Sequence, residues 1–342
     1  MPLINNIRHK KICVLSLYLL ISVLIFGQVN KYKIDELITV SINGLNQALL
    51  IRSNNENNPI LLYLNGGPGD SLIPFAYYAT KDLPNECTVV YWDQRGTGLS
   101  YYEDIPKETI TIKQFVEDTK EVTNYLKKRF HKDKIFILGH SWGSVLGTLA
   151  IKDDPKSYYA YIGVGQVISN ASLMKGRIKW LETKIDKKNE EELETLKLME
   201  KNQRNGFYLI RKYGGMIHNI STSTMVKIMR GSPYKSEAYT NDLYEKGERI
   251  SANLLKEEDR IIDFAKSANE IDIPVYYFLG RYDYVTPVAP VEDYFKVLKA
   301  PQKEIVWFKN SGHRMDIEEP EIFQYEISRI VNENDGYEYL KY

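Results

Sequence analysis

The stretch from Lys134 to Leu149 constrains this chain more than any other. An apolar run, Ile135 to Leu138, stops at Gly139 and is followed by His140, Ser141, Trp142 and Gly143. Small residues then recur at helical spacing through Ser144, Gly147 and Ala150. The pattern reads as strand, sharp turn and helix, with a serine at the tip. In that setting Gly139-x-Ser141-x-Gly143 is a nucleophile elbow. A strained backbone lifts the serine hydroxyl clear of the sheet. Glycine fits two residues to either side, because a side chain there would strike the neighbouring strand and helix. A plain strand–helix turn is the competing reading of the five-residue string, and the flanking elements favour the elbow.

The rest of the chain repeats that rhythm. Leu37–Asn43 and Gln47–Arg52 flank a Gly44-Leu45-Asn46 turn and predict an antiparallel hairpin. Solid apolar runs at Ile60–Leu64, Cys87–Trp92, Tyr159–Val164, Pro274–Leu279 and Glu304–Phe308 predict buried strands. Ile112–Phe130 has the spacing of an amphipathic helix, Phe75–Thr80 reads as a short helix and Glu319–Val331 as a closing one. Strands apolar throughout, alternating with helices, mean a parallel sheet covered on both faces. Residues 169–270 differ, being rich in Lys, Glu, Asn and Met, helical in period over Leu181–Met199 and without a strong strand. The expectation is an α/β fold with a mostly parallel sheet and helices on both faces. Its core would span 32–168 and 271–334, with a helical cap inserted at 169–270.

Lys plus Arg and Asp plus Glu balance at 45 each, so no global field argues for nucleic acid. Two cysteines, Cys13 and Cys87, build neither a disulfide framework nor a thiolate metal site. Arg8, His9, Lys10 and Lys11 precede an almost wholly apolar Ile12–Phe26, after which Gly27-Gln28 restores polar character. Residues 1–28 are therefore expected to be a secretory signal peptide or an uncleaved anchor, the latter allowing membrane association through residues 12–27. Either way the chain is expected to be exported: secreted, periplasmic or anchored on the outer face of a membrane.

In a parallel sheet, functional groups collect beyond the carboxyl ends of the strands. After Tyr276–Leu279 comes Gly280-Arg281-Tyr282-Asp283, and after Ile305–Phe308 comes Lys309-Asn310-Ser311-Gly312-His313. Ser141, Asp283 and His313 thus follow strand ends in the order serine, acid, histidine. A serine hydroxyl needs a neutral imidazole to take its proton and a carboxylate to hold that imidazole in the right tautomer. Taken singly, Asp283 is also ordinary turn chemistry and His313 an ordinary loop residue; the joint order favours the triad. His9 and His131 carry no such case, and His218 reads as a surface or packing residue. Donors for an oxyanion are expected from the N–H of Trp142, at a helix start, and of Gly67 in the Asn65–Gly69 loop. That loop lacks the lysine and helix start of a phosphate cradle. Gly66 and His140 are candidate substrate contacts. No metal or cofactor is called for.

These residues resemble the α/β-hydrolase fold and, within it, the proline iminopeptidase family of serine peptidases. Asn65-Gly66-Gly67-Pro68-Gly69 is similar to the family's His-Gly-Gly-Pro-Gly loop, with Asn65 in place of histidine. Asp93-Gln94-Arg95-Gly96-x-Gly98-x-Ser100 is similar to its Asp-Gln-Arg-Gly stretch, and Gly139–Gly143 matches its elbow. The resemblance implies an aminopeptidase releasing N-terminal proline or another small residue through an acyl-enzyme. In the family, acidic cap residues receive the substrate's amino terminus; Glu182, after Trp180, is only a loose counterpart here. A carboxylesterase or amidase with the same triad, acting on small acyl substrates, and a non-catalytic binding protein are the competing readings.

Overall fold

The computed structural model describes residues 31–335, apart from 202, 204, 235, 237, 238, 240 and 241. The expected signal peptide or anchor at 1–28 lies outside the described residues. The strands are β1 (Ile34–Ile42), β2 (Leu45–Ser53), β3 (Ile60–Leu64), β4 (Thr88–Asp93), β5 (Ile135–His140), β6 (Tyr158–Val164), β7 (Val275–Gly280) and β8 (Lys303–Phe308). The helices of the first half are α1 (Ala76–Ala79), α2 (Ile112–Arg129) and α3 (Gly143–Asp153). Between β6 and β7 come α4 (Asn170–Leu181), α5 (Glu190–Glu200), α6 (Phe207–Lys212), α7 (Thr222–Arg230), α8 (Asp242–Leu254), α9 (Lys256–Arg260) and α10 (Phe264–Ser267). The chain closes with α11 (Val288–Val297), α12 (Met315–Glu318) and α13 (Pro320–Asn334).

The strands form one sheet in the order β1-β2-β4-β3-β5-β6-β7-β8. The β1–β2 hairpin and the β2–β4 pairing are antiparallel, and every other pairing is parallel. β3 shows why a two-sided sheet forms. All five of its side chains are buried. Ile60, Leu62 and Leu64 enter one apolar cluster, and Leu61 and Tyr63 the other, as the two-residue period of a strand requires. The first cluster is completed by Phe115, Val122 and Leu126 of α2 and by Val145, Leu146 and Ile151 of α3. The second is completed by Ile73 and Phe75 and by Phe323, Ile327 and Ile330 of α13. A third cluster, within the helical segment between β6 and β7, joins Leu181, Leu196, Met199 and Leu209 to Val285 beyond β7.

Two helices differ from expectation. The period over Leu181–Met199 is not one helix, because α4 ends at Leu181 and α5 begins at Glu190. Polar side chains interrupt it: the Asp186 carboxylate accepts the Lys188 N–H, and Asn189 caps α5 by accepting the Glu192 N–H. α11 was concealed by Pro287 and Pro290, which occupy its cap and first turn, where a missing N–H costs no intrahelical bond. Among the described residues, no helix is long and apolar enough to cross a membrane. Because β4, β3, β5, β6, β7 and β8 are parallel neighbours, their carboxyl ends bring six loops to one edge.

Candidate active site

β5 ends at His140, α3 starts at Gly143, and Ser141 stands between them at φ +55°. That left-handed conformation is costly for a residue with a side chain and persists only where surrounding bonds enforce it. Here the Ser141 N–H donates to the Val164 carbonyl of β6 at 2.8 Å, and the Ser141 carbonyl accepts the Ser144 N–H at 2.8 Å. The close fit of the turn explains its glycines. A Cβ on Gly143 would stand 2.3 Å from the Leu64 carbonyl oxygen, and one on Gly139 2.6 Å from that of Gly143. Among the described residues the Ser141 hydroxyl makes no hydrogen bond, to His313 or to any other group.

Asp283 and His313 lie beyond β7 and β8, both almost wholly buried. The His313 Nδ1 and Asp283 Oδ2 are 2.8 Å apart. With Nδ1 as donor to a carboxylate, Nε2 is left as the basic nitrogen. The turn chemistry expected of Asp283 is present as well. Its Oδ1 accepts the N–H groups of Val285 and Thr286 at 2.9 and 2.8 Å, and its Oδ2 accepts the Thr286 hydroxyl at 2.7 Å. His313 reaches the elbow through two neighbours. Its ring lies 4.8 Å from that of His140, and Gly165, after β6, leaves room for it, since a Cβ there would come within 2.9 Å of His313 Cε1.

On the other side of the elbow lies the Asn65–Gly69 loop. Gly66 abuts Ser141, because a Cβ on it would meet the Ser141 Cβ at 3.0 Å. Gly67 has φ +110° and precedes a cis peptide bond to Pro68. Among the described residues, neither the Gly67 nor the Trp142 N–H is spent on another acceptor. Asn65 anchors the loop: its Nδ2 donates to the Trp92 carbonyl at 2.8 Å. Gln94 Nε2 donates back to the Asn65 carbonyl at 3.2 Å. The Asp-Gln-Arg-Gly stretch is thus a brace for this loop. Arg95 is locked by two 2.8 Å bonds to the buried Asp118. Asp93 accepts from Ser71, from the Leu99 N–H and from Tyr239, and its burial pushes its pKa up to about 6.

The sheet edge thus carries a serine at a strained turn and, on neighbouring loops, an imidazole–carboxylate pair. The family model for serine aminopeptidase, S33, matches residues 69–320, which include Ser141, Asp283 and His313. The chain belongs to the S33 serine aminopeptidase family. It is 31% identical over 304 residues to the probable aminopeptidase YbaC of Bacillus subtilis (strain 168), covering 85% of this chain and 94% of that one. It is 24% identical over 289 residues to a proline iminopeptidase of Heyndrickxia coagulans, covering 82% and 92%. The crystal structure of a proline iminopeptidase from Mycobacterium smegmatis shares the fold, with TM-score 0.64, 16% identity, and coverage of 88% of this chain and 99% of that one. This S33 chain is therefore a serine hydrolase with the α/β-hydrolase fold.

Around the S33 site, several residues escaped sequence reasoning. His140 was expected at the substrate, and the structure places its ring, 3% exposed, against the His313 loop. Its Nε2 lies 3.0 Å from the His313 carbonyl, which can only accept. Burial, with His313 as the second cause, lowers its pKa to about 3, so the ring is neutral. Glu318 accepts the Gly312 N–H at 2.7 Å and also the N–H groups of His218 and Asn219, tying the His313 loop to the helical segment. The His313 N–H donates to the Met216 carbonyl at 2.8 Å. Thr286 carried a local signal, an Asp-x-x-Thr turn; Glu318 carried none, its partners His218 and Asn219 being remote in sequence. Glu182, the loose match to the family's acid, is exposed at the end of α4.

Proposed function

We propose that this chain is an aminopeptidase that releases N-terminal proline or another small residue from peptides. Ser141 is its nucleophile, His313 its base and Asp283 the group that orients the imidazole. The observation that carries the reading is the 2.8 Å contact from His313 Nδ1 to Asp283 Oδ2, at the sheet edge that also presents Ser141 at φ +55°. In this scheme the His313 Nε2 takes the proton as the Ser141 Oγ attacks the substrate carbonyl. The N–H groups of Gly67 and Trp142 hold the developing oxyanion, the latter helped by the start of α3. His313 then gives its proton to the leaving amine, and water clears the acyl-enzyme. Gly66 lines the approach to the serine. The helical segment 169–270 serves as a cap that limits substrates to small ones, a reading supported by its bonds to the His313 and Asp283 loops.

A panel of aminoacyl-arylamides and short-chain nitrophenyl esters, with Ser141→Ala as blank, tests the specificity. Prolyl- or alanyl-arylamide is expected to be turned over best. A preference for esters would return the carboxylesterase or amidase reading, and no serine-dependent turnover would return the binding protein. The similarity to proline iminopeptidases supports the peptidase. Export rests on the basic and apolar N-terminus, and fractionation of cells producing the full chain tests it. Recovery solely from the cytosol, with residues 1–28 intact, would contradict it.

A further inference from the structure

Asp283 is gripped from the helical segment as well as from the sheet. Tyr282, before it, stacks on His218 with ring centroids 3.4 Å apart, and Tyr284, after it, stacks on Trp180 at 4.2 Å. The Tyr284 N–H donates to the Gly215 carbonyl at 2.9 Å. One further contact runs through to the carboxylate itself. Arg177 of α4 donates from Nε to the Val285 carbonyl at 2.8 Å. The N–H of that same peptide unit, on Thr286, donates to Asp283 Oδ1 at 2.8 Å. The other oxygen of the carboxylate meets His313 Nδ1 at 2.8 Å. A cation bonded to a peptide carbonyl polarises the peptide and strengthens the bond made by its N–H.

We infer that Arg177 is a positioning residue for the acid of the relay: through the Val285–Thr286 peptide it fixes Asp283 and draws negative charge from it. The inference rests on the triad reading proposed above. Arg177 is half-buried, and although burial brings its pKa down to about 10 it stays charged at neutral pH, with Asp283 and Asp259 facing it. Asp259 in turn accepts from Asn170. Also near His313 are the neutral His140, its ring 4.8 Å away, and Arg314, the next residue, which pairs with Asp316 at 2.9 Å. Arg314 and Asp316 carry opposite charges paired with each other, whereas Arg177 is bonded to the turn that holds the acid. Its field weakens the hold of Asp283 on an imidazolium. Without Arg177 the acid limb of kcat/KM is expected to move to higher pH. Because Arg177 bonds a backbone carbonyl and not the substrate, the loss falls on kcat and not on KM.

The test uses the full chain and its best arylamide substrate, with Arg177→Met, Arg177→Lys, Asp283→Asn and the Arg177→Met/Asp283→Asn double variant. Arg177→Met is expected to lose roughly 10- to 100-fold in kcat with KM unchanged, and its acid limb to move to higher pH. Arg177→Lys keeps the charge without the guanidinium geometry, so its acid limb stays at the wild-type position while kcat falls part of the way. In the Asp283→Asn background Arg177→Met is expected to cost nothing more, since it acts through that acid. A loss confined to KM, a wild-type pH profile, or full additivity with Asp283→Asn would overturn the inference while leaving an active wild type and the triad intact. Should Arg177→Met fail to fold, Arg177→Lys decides alone: undiminished kcat overturns the role. A wild type that neither turns over substrate nor takes a fluorophosphonate label would bring down the triad reading and the inference with it.

Discussion

The carboxyl edge of the sheet and the helical segment between β6 and β7 reach the same residues by different means. At the sheet edge each group of the proposed triad follows its own strand within a few residues: Ser141 after β5, Asp283 after β7, His313 after β8. The strands fix these loops through backbone pairing, and the side chains inherit that order. The helical segment has no strand to lend. It acts by side chains and loop backbone, through Trp180 and His218 stacking beside Asp283, Arg177 behind it, and the Met216–Asn219 stretch against the His313 loop. The lesson is a division of labour, in which the sheet presents the groups and the helices set how firmly two of them are held.

That division gives graded expectations. The largest effect belongs to the sheet edge: Ser141→Ala is expected to lose roughly a millionfold in kcat with the fold retained, as read by arylamide hydrolysis and circular dichroism. Asp283→Asn is expected to lose roughly ten-thousandfold in kcat, because an amide no longer specifies the His313 tautomer. Removing one partner from a buried ion pair strands the other. Asp118→Ala, which leaves the buried Arg95 without its carboxylate, is expected to cost about 3–5 kcal/mol in urea denaturation. If that variant lost activity without stability, the brace would belong to the chemistry and the comparison would fail.

Asp93 sharpens the contrast, being a buried carboxylate with hydroxyl and N–H partners and no cation bonded to it among the described residues. Burial raises its folded pKa from 3.8 to about 6, so the folded state holds the proton more tightly than the unfolded one. Its contribution to stability is full below about pH 4 and is lost as pH rises through 6. Asp93→Asn is expected to remove about 3 kcal/mol of this decline between pH 4 and 6, as read by denaturation midpoints at each pH. An unchanged slope would contradict it. The smallest effect lies in the helical segment. Trp180→Ala, which takes away the ring stacked on Tyr284, is expected to cost about 0.5–1.5 kcal/mol beyond its buried area and less than tenfold in kcat.

The same contrast explains what could be read in advance. β3 was legible to the residue because a strand buried on both faces is a local signal, Ile60 to Leu64 without a polar interruption. The elbow was legible because its glycines answer to atoms a few residues away, or on the strand beside them. The hairpin of β1 and β2 and the closing helix α13 were legible for similar reasons, give or take a few residues at their ends. α11 was not, since its prolines read as loop although they occupy the first turn. Arg177 was not, because nothing near it in sequence hints at a bond across 108 positions to Val285. Glu182, singled out only as a loose counterpart, is exposed at the end of α4.

The most direct measurement is peptide mapping, by mass spectrometry, of the intact chain after reaction with a fluorophosphonate at several pH values. The expected result is one stoichiometric adduct on Ser141, slowed severalfold or more in His313→Ala and absent from Ser141→Ala. An adduct on another residue, or a labelling rate at Ser141 indifferent to His313, would contradict the relay.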